Sequence, residues 1–260
     1  MPIIESIQVA SVAVPLDKVT SFSTRTVSER HYCLVKVRTK DGNEGIGFCY
    51  VGSAGGDIAK IAVEQLLAPK LIGQNSHRSE GLWMEMYNES ILQGRTGAVM
   101  RGISILDTAL WDLNARSVGL PLHQYLGSVV DDRVPAYASG GYYLEGKTPA
   151  KLGKEMESYV KQGFKAVKMK VGRLSPSEEE ARVKAARKAV GDDVLLTLDA
   201  NNAWRDLPTA LEYVRRFEAY NPYWIEEPFS PDAIDLHAAL ARQTKINVAT
   251  GEMEAGRWRF

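Results

Sequence analysis

Residues 222–229 read PYWIEEPF and place two adjacent carboxylates at the end of an apolar strand. The Trp-Ile pair is typical of a buried strand, and Glu226 and Glu227 follow it directly. Pro228 then ends the run, because proline cannot donate to a sheet ladder. A carboxylate that is buried without a partner is costly. The stretch therefore predicts that a cation or another polar partner lies against at least one of these carboxylates.

The sequence around this stretch alternates between strand-like and helix-like segments from about residue 133 onward. Strands are predicted at VPAYASG, AVKMKVG, VLLTLDA, YWIEE and INVATGE, with helices at 149–162, 177–190, 208–219 and about 232–242. Repeated βα units predict a parallel sheet, either closed as a barrel or open and doubly wound. We favour a modified TIM (β/α) barrel, because no glycine-rich fingerprint follows the first strand. Its active-site face would lie at the C-terminal strand ends.

Five βα units are fewer than the eight that close a barrel. The fifth strand is followed only by a short segment that ends at Phe260. We therefore expect the natural protein to continue with further barrel strands. A five-stranded piece would leave unpaired edges and a half-built core.

The first part of the chain, residues 1–132, predicts an α+β capping domain, with the barrel units in 133–260. A β-branched segment comes first, and a hairpin with Asp41-Gly42 at its turn follows it. We predict a long loop at the polar residues 18–30. Cys33 and Cys49 lie nearly opposite each other across the hairpin, and we expect reduced thiols rather than a disulfide.

Helical periodicity dominates the rest of this first part. It is strongest in AVMRGISILDTALWDLNARSVG, where four apolar side chains share one stripe and Gly119 is the predicted stop. The stripe consists of Ile103, Leu106, Leu110 and Leu113.

The composition indicates an ordinary globular enzyme. The chain of 260 residues is 45% hydrophobic, and 32 basic residues balance 32 acidic ones. A net charge of zero gives no electrostatic footprint for nucleic acid or an anionic membrane. No apolar run approaches the roughly 18 residues of a membrane span, and the N-terminus does not resemble a signal peptide. We therefore expect a cytoplasmic enzyme that binds neither nucleic acid nor a membrane.

Three acids end successive predicted strands at matched spacing. Asp199 and Glu226 are 27 residues apart, and Glu226 and Glu252 are 26 apart, one βα repeat each. Neighbouring strands lie roughly 4.8 Å apart, so these carboxylates should converge and repel one another unless a cation joins them. A single such acid is usually a helix cap or a surface ion pair, but three in register favour a hard divalent ion, Mg²⁺. We expect Glu227 to point elsewhere.

Two lysines lie one strand before the first of these acids. Lys168 and Lys170 are two residues apart on a strand and therefore face the same way, whereas Val167, Met169 and Val171 face the covering helices. Solvated lysines on an edge strand are the alternative. Beside the acids, we expect repulsion between cations to lower the pKa of at least one lysine, as a general base requires.

Together these residues resemble the enolase superfamily, with a capping domain, a Lys-x-Lys pair and then Asp, Glu and Glu on successive strands. The resemblance covers essentially the whole chain, and TGEM is similar to the mandelate racemase subgroup rather than the muconate-lactonizing one. It implies that Asp199, Glu226 and Glu252 bind Mg²⁺. It also implies that Lys170 removes the proton α to a carboxylate and that Lys168 lies against that carboxylate.

The resemblance also implies contacts and partners that the spacing alone does not. Asn201 is a candidate for a substrate hydroxyl. The 18–30 segment would cover the pocket, where Arg25 either pairs with a second substrate carboxylate or stays solvated. The subgroup often uses a histidine from later strands, and none of the four histidines here matches that role. A dimer or a larger homo-oligomer is implied, with 98–117 as one packing surface.

The resemblance implies several possible reactions after the shared proton removal. Dehydration of an aldonate or aldarate to a 2-keto-3-deoxy acid is the favoured one. Racemisation or epimerisation of a 2-hydroxy acid is the first alternative, and a muconate-lactonizing-type cycloisomerase or dipeptide epimerase is the second. A non-catalytic protein on this scaffold is disfavoured, because both lysines and all three acids are present.

Overall fold

The computed structural model describes residues 1–128 and 133–260. The predicted domain boundary between residues 132 and 133 borders the residues outside this description, and the division stays a prediction. Two compact units are present. The first consists of Met1–Asp17, Ser28–Val134 and Glu254–Phe260, and the second of Lys18–Val27 and Pro135–Met253.

A three-stranded sheet begins the chain, with strands β1 (Ile4–Ser21), β2 (Thr26–Thr39) and β3 (Glu44–Gly52) in that order. Most of the predicted loop at 18–30 is therefore wrong, since only residues 22–25 separate β1 from β2. These strand ends are largely solvent-exposed. They carry no apolar alternation for this reason, and their polar composition resembles that of a loop.

The predicted hairpin is confirmed by antiparallel pairing of β2 with β3 around a turn at residues 39–43. Cys33 pairs directly with Cys49 in the register, and both are free thiols, as expected. Burial raises the pKa of the Cys33 thiol to about 11, so this thiol is protonated at neutral pH.

The helices of the first unit are α1 (Gly56–Ile61), a π-helical segment (Ala62–Leu67), α2 (Ala68–Leu71), α3 (Ser79–Ser90), α4 (Gly97–Ser117) and α5 (Leu122–Tyr125). They pack against this sheet chiefly through α4, and other helices pack on α4 in turn. The predicted apolar stripe of α4 is fully buried, and the helix ends before Gly119, whose φ is 69°. Helix α4 approaches β3 so closely that a Cβ at Gly47 would overlap the carbonyl oxygen of Ile105.

The second unit contains the predicted parallel βα repeat. Its elements are β4 (Ala138–Ser139), α6 (Pro149–Lys161), β5 (Ala166–Lys170), α7 (Pro176–Val190), β6 (Leu195–Asp199), α8 (Leu207–Phe217), a 3₁₀ turn (Glu218–Tyr220), β7 (Trp224–Glu226), α9 (Ile234–Ala241) and β8 (Asn247–Ala249). The five strands pair in parallel in the order β4-β5-β6-β7-β8. This is part of a (β/α) barrel, as predicted. A second 3₁₀ turn, Arg257–Arg259, belongs to the first unit.

Side-chain alternation on β5 separates the core from the site. Val167, Met169 and Val171 are fully buried in the apolar core, together with residues from the flanking strands and helices. Lys168 and Lys170 lie on the opposite face, each only 7% exposed. The predicted orientation of all five residues is confirmed. In the described part of the chain, no helix has the length and apolar character needed to cross a membrane.

Candidate active site

The site residues on β5, β6 and β7 are in direct register. Lys170 pairs with Asp199, and Asp199 pairs with Glu226. Each of these three residues ends its strand. The C-terminal ends of neighbouring parallel strands therefore bring a lysine and two acids side by side, as the spacing predicts.

Two lysines and two acids form a buried ion cluster. The Nζ of Lys170 lies 2.6 Å from Oδ2 of Asp199. The Nζ of Lys168 lies 2.8 Å from Oε1 of Glu226 and 3.3 Å from Oδ2 of Asp199. The other Glu226 oxygen accepts a hydrogen bond of 3.1 Å from the indole of Trp224. Each lysine lies against a carboxylate, and these contacts offset the cost of burying the polar groups.

The pKa of Lys168 differs from the sequence-based expectation. Burial lowers it, but the hydrogen bond to Glu226 and the charges of Asp199 and Glu226 outweigh burial and raise the pKa above its ordinary value. Lys168 is therefore not the lysine with the lowered pKa that the sequence predicts for at least one of the pair, because its nearest charges are carboxylates rather than other cations. Its ammonium stays charged at neutral pH.

Aromatic rings line the lysines on their other sides. Nζ of Lys168 lies 5.4 Å from the ring centroid of Tyr137, and Nζ of Lys170 lies 5.3 Å from Tyr142 and 6.0 Å from Phe22. These distances are typical of cation–π contacts. Sequence reasoning missed all three residues. Phe22 offered the only signal, as an aromatic side chain within a polar segment.

Two further glutamates belong to the same electrostatic environment. Glu252 follows β8 and is exposed, and its pKa is raised by partial burial of the carboxyl and by the charges of Asp199 and Glu226. Glu227 is only 1% exposed, and burial, then the charges of Glu252, Asp199 and Glu226, raise its pKa to about 7. The expectation that Glu227 points away from these acids is wrong. Its φ of 45° breaks the strand alternation on which that expectation rested.

The chemistry of these groups fits a hard divalent cation. Both carboxylate oxygens of Glu227 are buried and accept no hydrogen bond within the described residues. Burial, and then repulsion among the acids, raise the pKa values of Glu227 and Glu252. Oxygen-only carboxylate donors are those that Mg²⁺ prefers. Across residues 1–128 and 133–260, however, no three His, Cys, Asp or Glu side chains are arranged as a metal site. Asp199 and Glu226 instead contact the lysines, and ligation by the three predicted acids stays a prediction.

Asn201 lies beside the ion cluster. Its backbone N–H donates 3.0 Å to Oδ1 of Asp199, and its buried Oδ1 has no hydrogen-bond donor among the described residues. The hydroxyls of Ser23 and Thr24, at the β1–β2 tip, each donate 3.3 Å to its carbonyl oxygen. Arg25 is exposed at the same tip. The predicted substrate contacts of Asn201 and Arg25 remain predictions.

The described contacts join no histidine to the ion cluster. His237 lies on α9, with its Nδ1 2.9 Å from the carbonyl oxygen of Ala233, and it packs against Phe229. His31 pairs with Glu29 on β2. His77 and His123 belong to the first unit.

The two parts of the chain match two parts of one enzyme family. Residues 4–127 match the mandelate racemase/muconate lactonizing enzyme N-terminal domain, and residues 151–260 match the enolase C-terminal domain-like family. The chain belongs to the mandelate racemase/muconate lactonizing enzyme family of the enolase superfamily. The predicted resemblance to this superfamily is thereby confirmed.

Characterised members of the mandelate racemase/muconate lactonizing enzyme family resemble this chain over most of its length. Arabinonate dehydratase of Saccharolobus solfataricus is 38% identical over 86% of this chain and 60% of its own length. The 3,6-anhydro-alpha-L-galactonate cycloisomerase of Streptomyces coelicolor is 32% identical over 96% of this chain and 68% of its own length. The chain thus spans about 60% of the first of these relatives.

A solved structure in the family shows the same fold with ligands bound. L-talarate/galactarate dehydratase from Salmonella typhimurium LT2, liganded with Mg and L-lyxarohydroxamate, superposes with a TM-score of 0.88 at 32% identity. The match covers 96% of this chain and 64% of that one.

Proposed function

We propose that this protein removes the proton α to the carboxylate of an acid sugar and expels the β-hydroxyl as water. The product is a 2-keto-3-deoxy acid. The observation that carries this proposal is the Lys168–Lys170–Asp199–Glu226 cluster, where a candidate base and a charged partner for a carboxylate share one buried strand face. The dehydratases among the similar proteins support an aldonate or aldarate as the substrate class.

The two lysines take different roles in the reaction. Lys168 keeps its positive charge because Asp199 and Glu226 raise its pKa, so it suits the binding of a substrate carboxylate. The same charge stabilises the negative charge that develops on the carboxylate oxygens as the α-proton leaves. Lys170 takes that proton on Nζ, which requires its neutral form. Asp199 holds this Nζ 2.6 Å from its own carboxylate and thereby fixes its direction.

The acids complete the proposed site. Asp199, Glu226 and Glu252 would hold Mg²⁺, which when bound stabilises the enediolate as a Lewis acid. The bond changes balance without a further reactant. The α C–H bond breaks, its electrons form the enediolate and its proton goes to Nζ of Lys170. The β C–O bond then breaks, and the hydroxyl leaves as water with one proton from solvent, which balances the α-proton that Lys170 returns to solvent. The resulting enol tautomerises to the 2-keto acid.

A second candidate function is isomerisation without loss of water. The Streptomyces coelicolor cycloisomerase supports it, since the similarity covers 96% of this chain. Racemisation or epimerisation would begin with the same proton removal by Lys170. Glu252 stands where the muconate-lactonizing subgroup usually has Asp, and this disfavours a cycloisomerase or dipeptide epimerase of that subgroup. We also propose that the whole protein is a homo-oligomer, as the family resemblance implies, and that it is cytoplasmic, as the composition favours.

One incubation tests the proposal. The full-length protein is mixed with Mg²⁺ and a library of aldonic and aldaric acids in D₂O, and proton NMR follows the products. A 2-keto-3-deoxy product that disappears with EDTA supports the dehydratase and identifies its acid. Deuterium at the α-carbon without loss of water supports the isomerase instead. If no acid exchanges its α-proton, the proposal is wrong.

A further inference from the structure

Two charged side chains outside the predicted site are buried on α7. Glu179 is 0% exposed and Arg182 is 3% exposed. Nε of Arg182 faces Oε2 of Glu179 at 3.2 Å, an ion pair one helical turn apart. Replacing a buried ion pair by apolar side chains is often neutral or stabilising. Stability alone therefore gives little reason for this pair.

Glu179 binds the loop that leaves the lysine strand. Its Oε1 accepts hydrogen bonds from the successive backbone amides of Gly172, Arg173 and Leu174, at 3.1, 3.0 and 3.0 Å. The hydroxyl of Tyr143 donates to the same oxygen. Three amides on one carboxylate oxygen fix the backbone path that starts two residues after Lys170.

Arg182 binds the lysine strand itself. Its Nη2 donates 3.2 Å to the carbonyl oxygen of Lys170 and 2.9 Å to that of Gly141. The guanidinium also lies 4.1 Å from the ring centroid of Tyr143. Gly141 precedes Tyr142, the residue whose ring lies 5.3 Å from Nζ of Lys170. One side chain therefore ties the backbone of Lys170 to the segment that carries its aromatic neighbour.

We propose that Glu179 and Arg182 are positioning residues that hold Lys170 in its reactive place. The proposal rests on the proposed function, in which Lys170 is the base. Besides their contact with each other, the two side chains bind backbone carbonyls, backbone amides and Tyr143. The pair fixes the backbone of Lys170, whereas Asp199 fixes the position of its Nζ.

A matched pair of variants separates positioning from ordinary structural support. Arg182→Lys keeps a cation, but its one nitrogen cannot replace a guanidinium that faces Glu179 through Nε while Nη2 reaches the carbonyl oxygens of Gly141 and Lys170. Arg187→Lys is the control on the same helix. Arg187 likewise binds backbone carbonyls, those of Gly191, Val194, Tyr220 and Asn221, at the far end of α7.

Two properties of each full-length variant are measured. The first is the rate at which an acetylating reagent modifies Lys170, resolved by mass spectrometry with Lys154 as the exposed internal standard. The second is kcat and KM for the acid that the incubation identifies. For Arg182→Lys we expect faster modification of Lys170 and a kcat lower by about 10- to 100-fold, with KM within about twofold, because small misplacements of a catalytic group are costly. For Arg187→Lys we expect only a lower melting temperature.

Other outcomes would overturn this proposal. One outcome separates it from the proposed function. Equal modification of Lys170 in both variants, or an unchanged kcat in Arg182→Lys, would overturn it. If Arg182→Lys does not fold, the double variant Glu179→Gln/Arg182→Met removes both charges together and must show the same loss of kcat. If the wild-type protein acts on no acid, the proposed function fails, and the modification rate of Lys170 alone decides whether the pair positions it.

Discussion

Nζ of Lys170 and Oδ2 of Asp199 lie 2.6 Å apart on directly paired residues of neighbouring parallel strands. Both side chains are almost fully buried. The contact therefore depends on the register of two strands and not on flexible surface groups. A base held in this way loses little conformational entropy when it meets a substrate.

Loss of Lys168 should weaken substrate binding. Lys168→Met removes an ammonium whose raised pKa keeps it charged at neutral pH. We expect KM to rise by about 10- to 100-fold, since hydrogen bonds to charged groups contribute about 1.5–3 kcal/mol. Steady-state kinetics check this, with Lys188→Met on the exposed side of α7 as the control. An unchanged KM would show that Lys168 does not bind the substrate carboxylate.

Magnesium should stabilise the protein through Glu252. A ligand that binds only the folded state raises stability, by roughly 2.7 kcal/mol at a hundredfold excess over its Kd. We therefore expect Mg²⁺ to raise the Tm of the wild-type protein and to raise that of Glu252→Gln much less. Thermal unfolding with and without Mg²⁺ measures both. Glu212→Gln, an exposed acid on α8, should respond like the wild type. An equal response of Glu252→Gln would remove Glu252 from the predicted ligands.

The stability of the first unit should fall as the pH rises from about 4 to about 6, because of Asp107. Burial, and then the nearby charge of Glu80, raise the pKa of this carboxyl to about 6. The folded state thus holds the proton more tightly than the unfolded state, and the stabilisation present below the unfolded pKa is lost as the pH rises through the folded one.

The variant Asp107→Asn isolates this effect. We expect the variant to be more stable than the wild type at pH 8, by about 1–2 kcal/mol, with a smaller advantage or none at pH 4. Urea unfolding at the two pH values gives the difference. A gain of equal size at both pH values would contradict the assigned pKa shift.

A methyl group at position 47 should disrupt the packing of α4 on β3. In Gly47→Ala the new Cβ would overlap the carbonyl oxygen of Ile105, which belongs to a helix backbone and cannot rotate away. We expect a loss of about 3 kcal/mol, at the upper end for overpacked sites. Ile46→Ala, on the exposed face of the same strand, should cost less than about 1 kcal/mol. Equal losses in urea unfolding would mean that the close approach is not required.

Elements with strong periodicity were predictable from the sequence. The apolar stripe predicted on α4 is buried, and the strand ends at Asp199 and Glu226 lie where the polar residues after apolar runs place them. The two lysines follow from strand alternation, since positions two apart share a face. These predictions depend only on the pattern of apolar residues along the chain and on the geometry of single helices and strands.

Features set by backbone conformation or by distant contacts were not predictable. Glu227 joins the acids because its backbone adopts a positive φ, which no local pattern indicated. The predicted loop between β1 and β2 was too long, because the exposed ends of these strands carry no apolar alternation by which the sequence would reveal them. Glu179 and Arg182 look like ordinary surface charges on a helix until the fold buries them.

Deuterium incorporation at the α-carbon tests the central claim most directly. The full-length wild-type protein and Lys170→Met are incubated with the identified acid in D₂O, with Lys154→Met as the exposed-lysine control. We expect the wild type and the control to incorporate solvent deuterium or form the 2-keto-3-deoxy acid. For Lys170→Met we expect a rate lower by about 100-fold or more, as for loss of a general base. A Lys170→Met protein that folds and keeps the wild-type rate would contradict the assignment of Lys170 as the base.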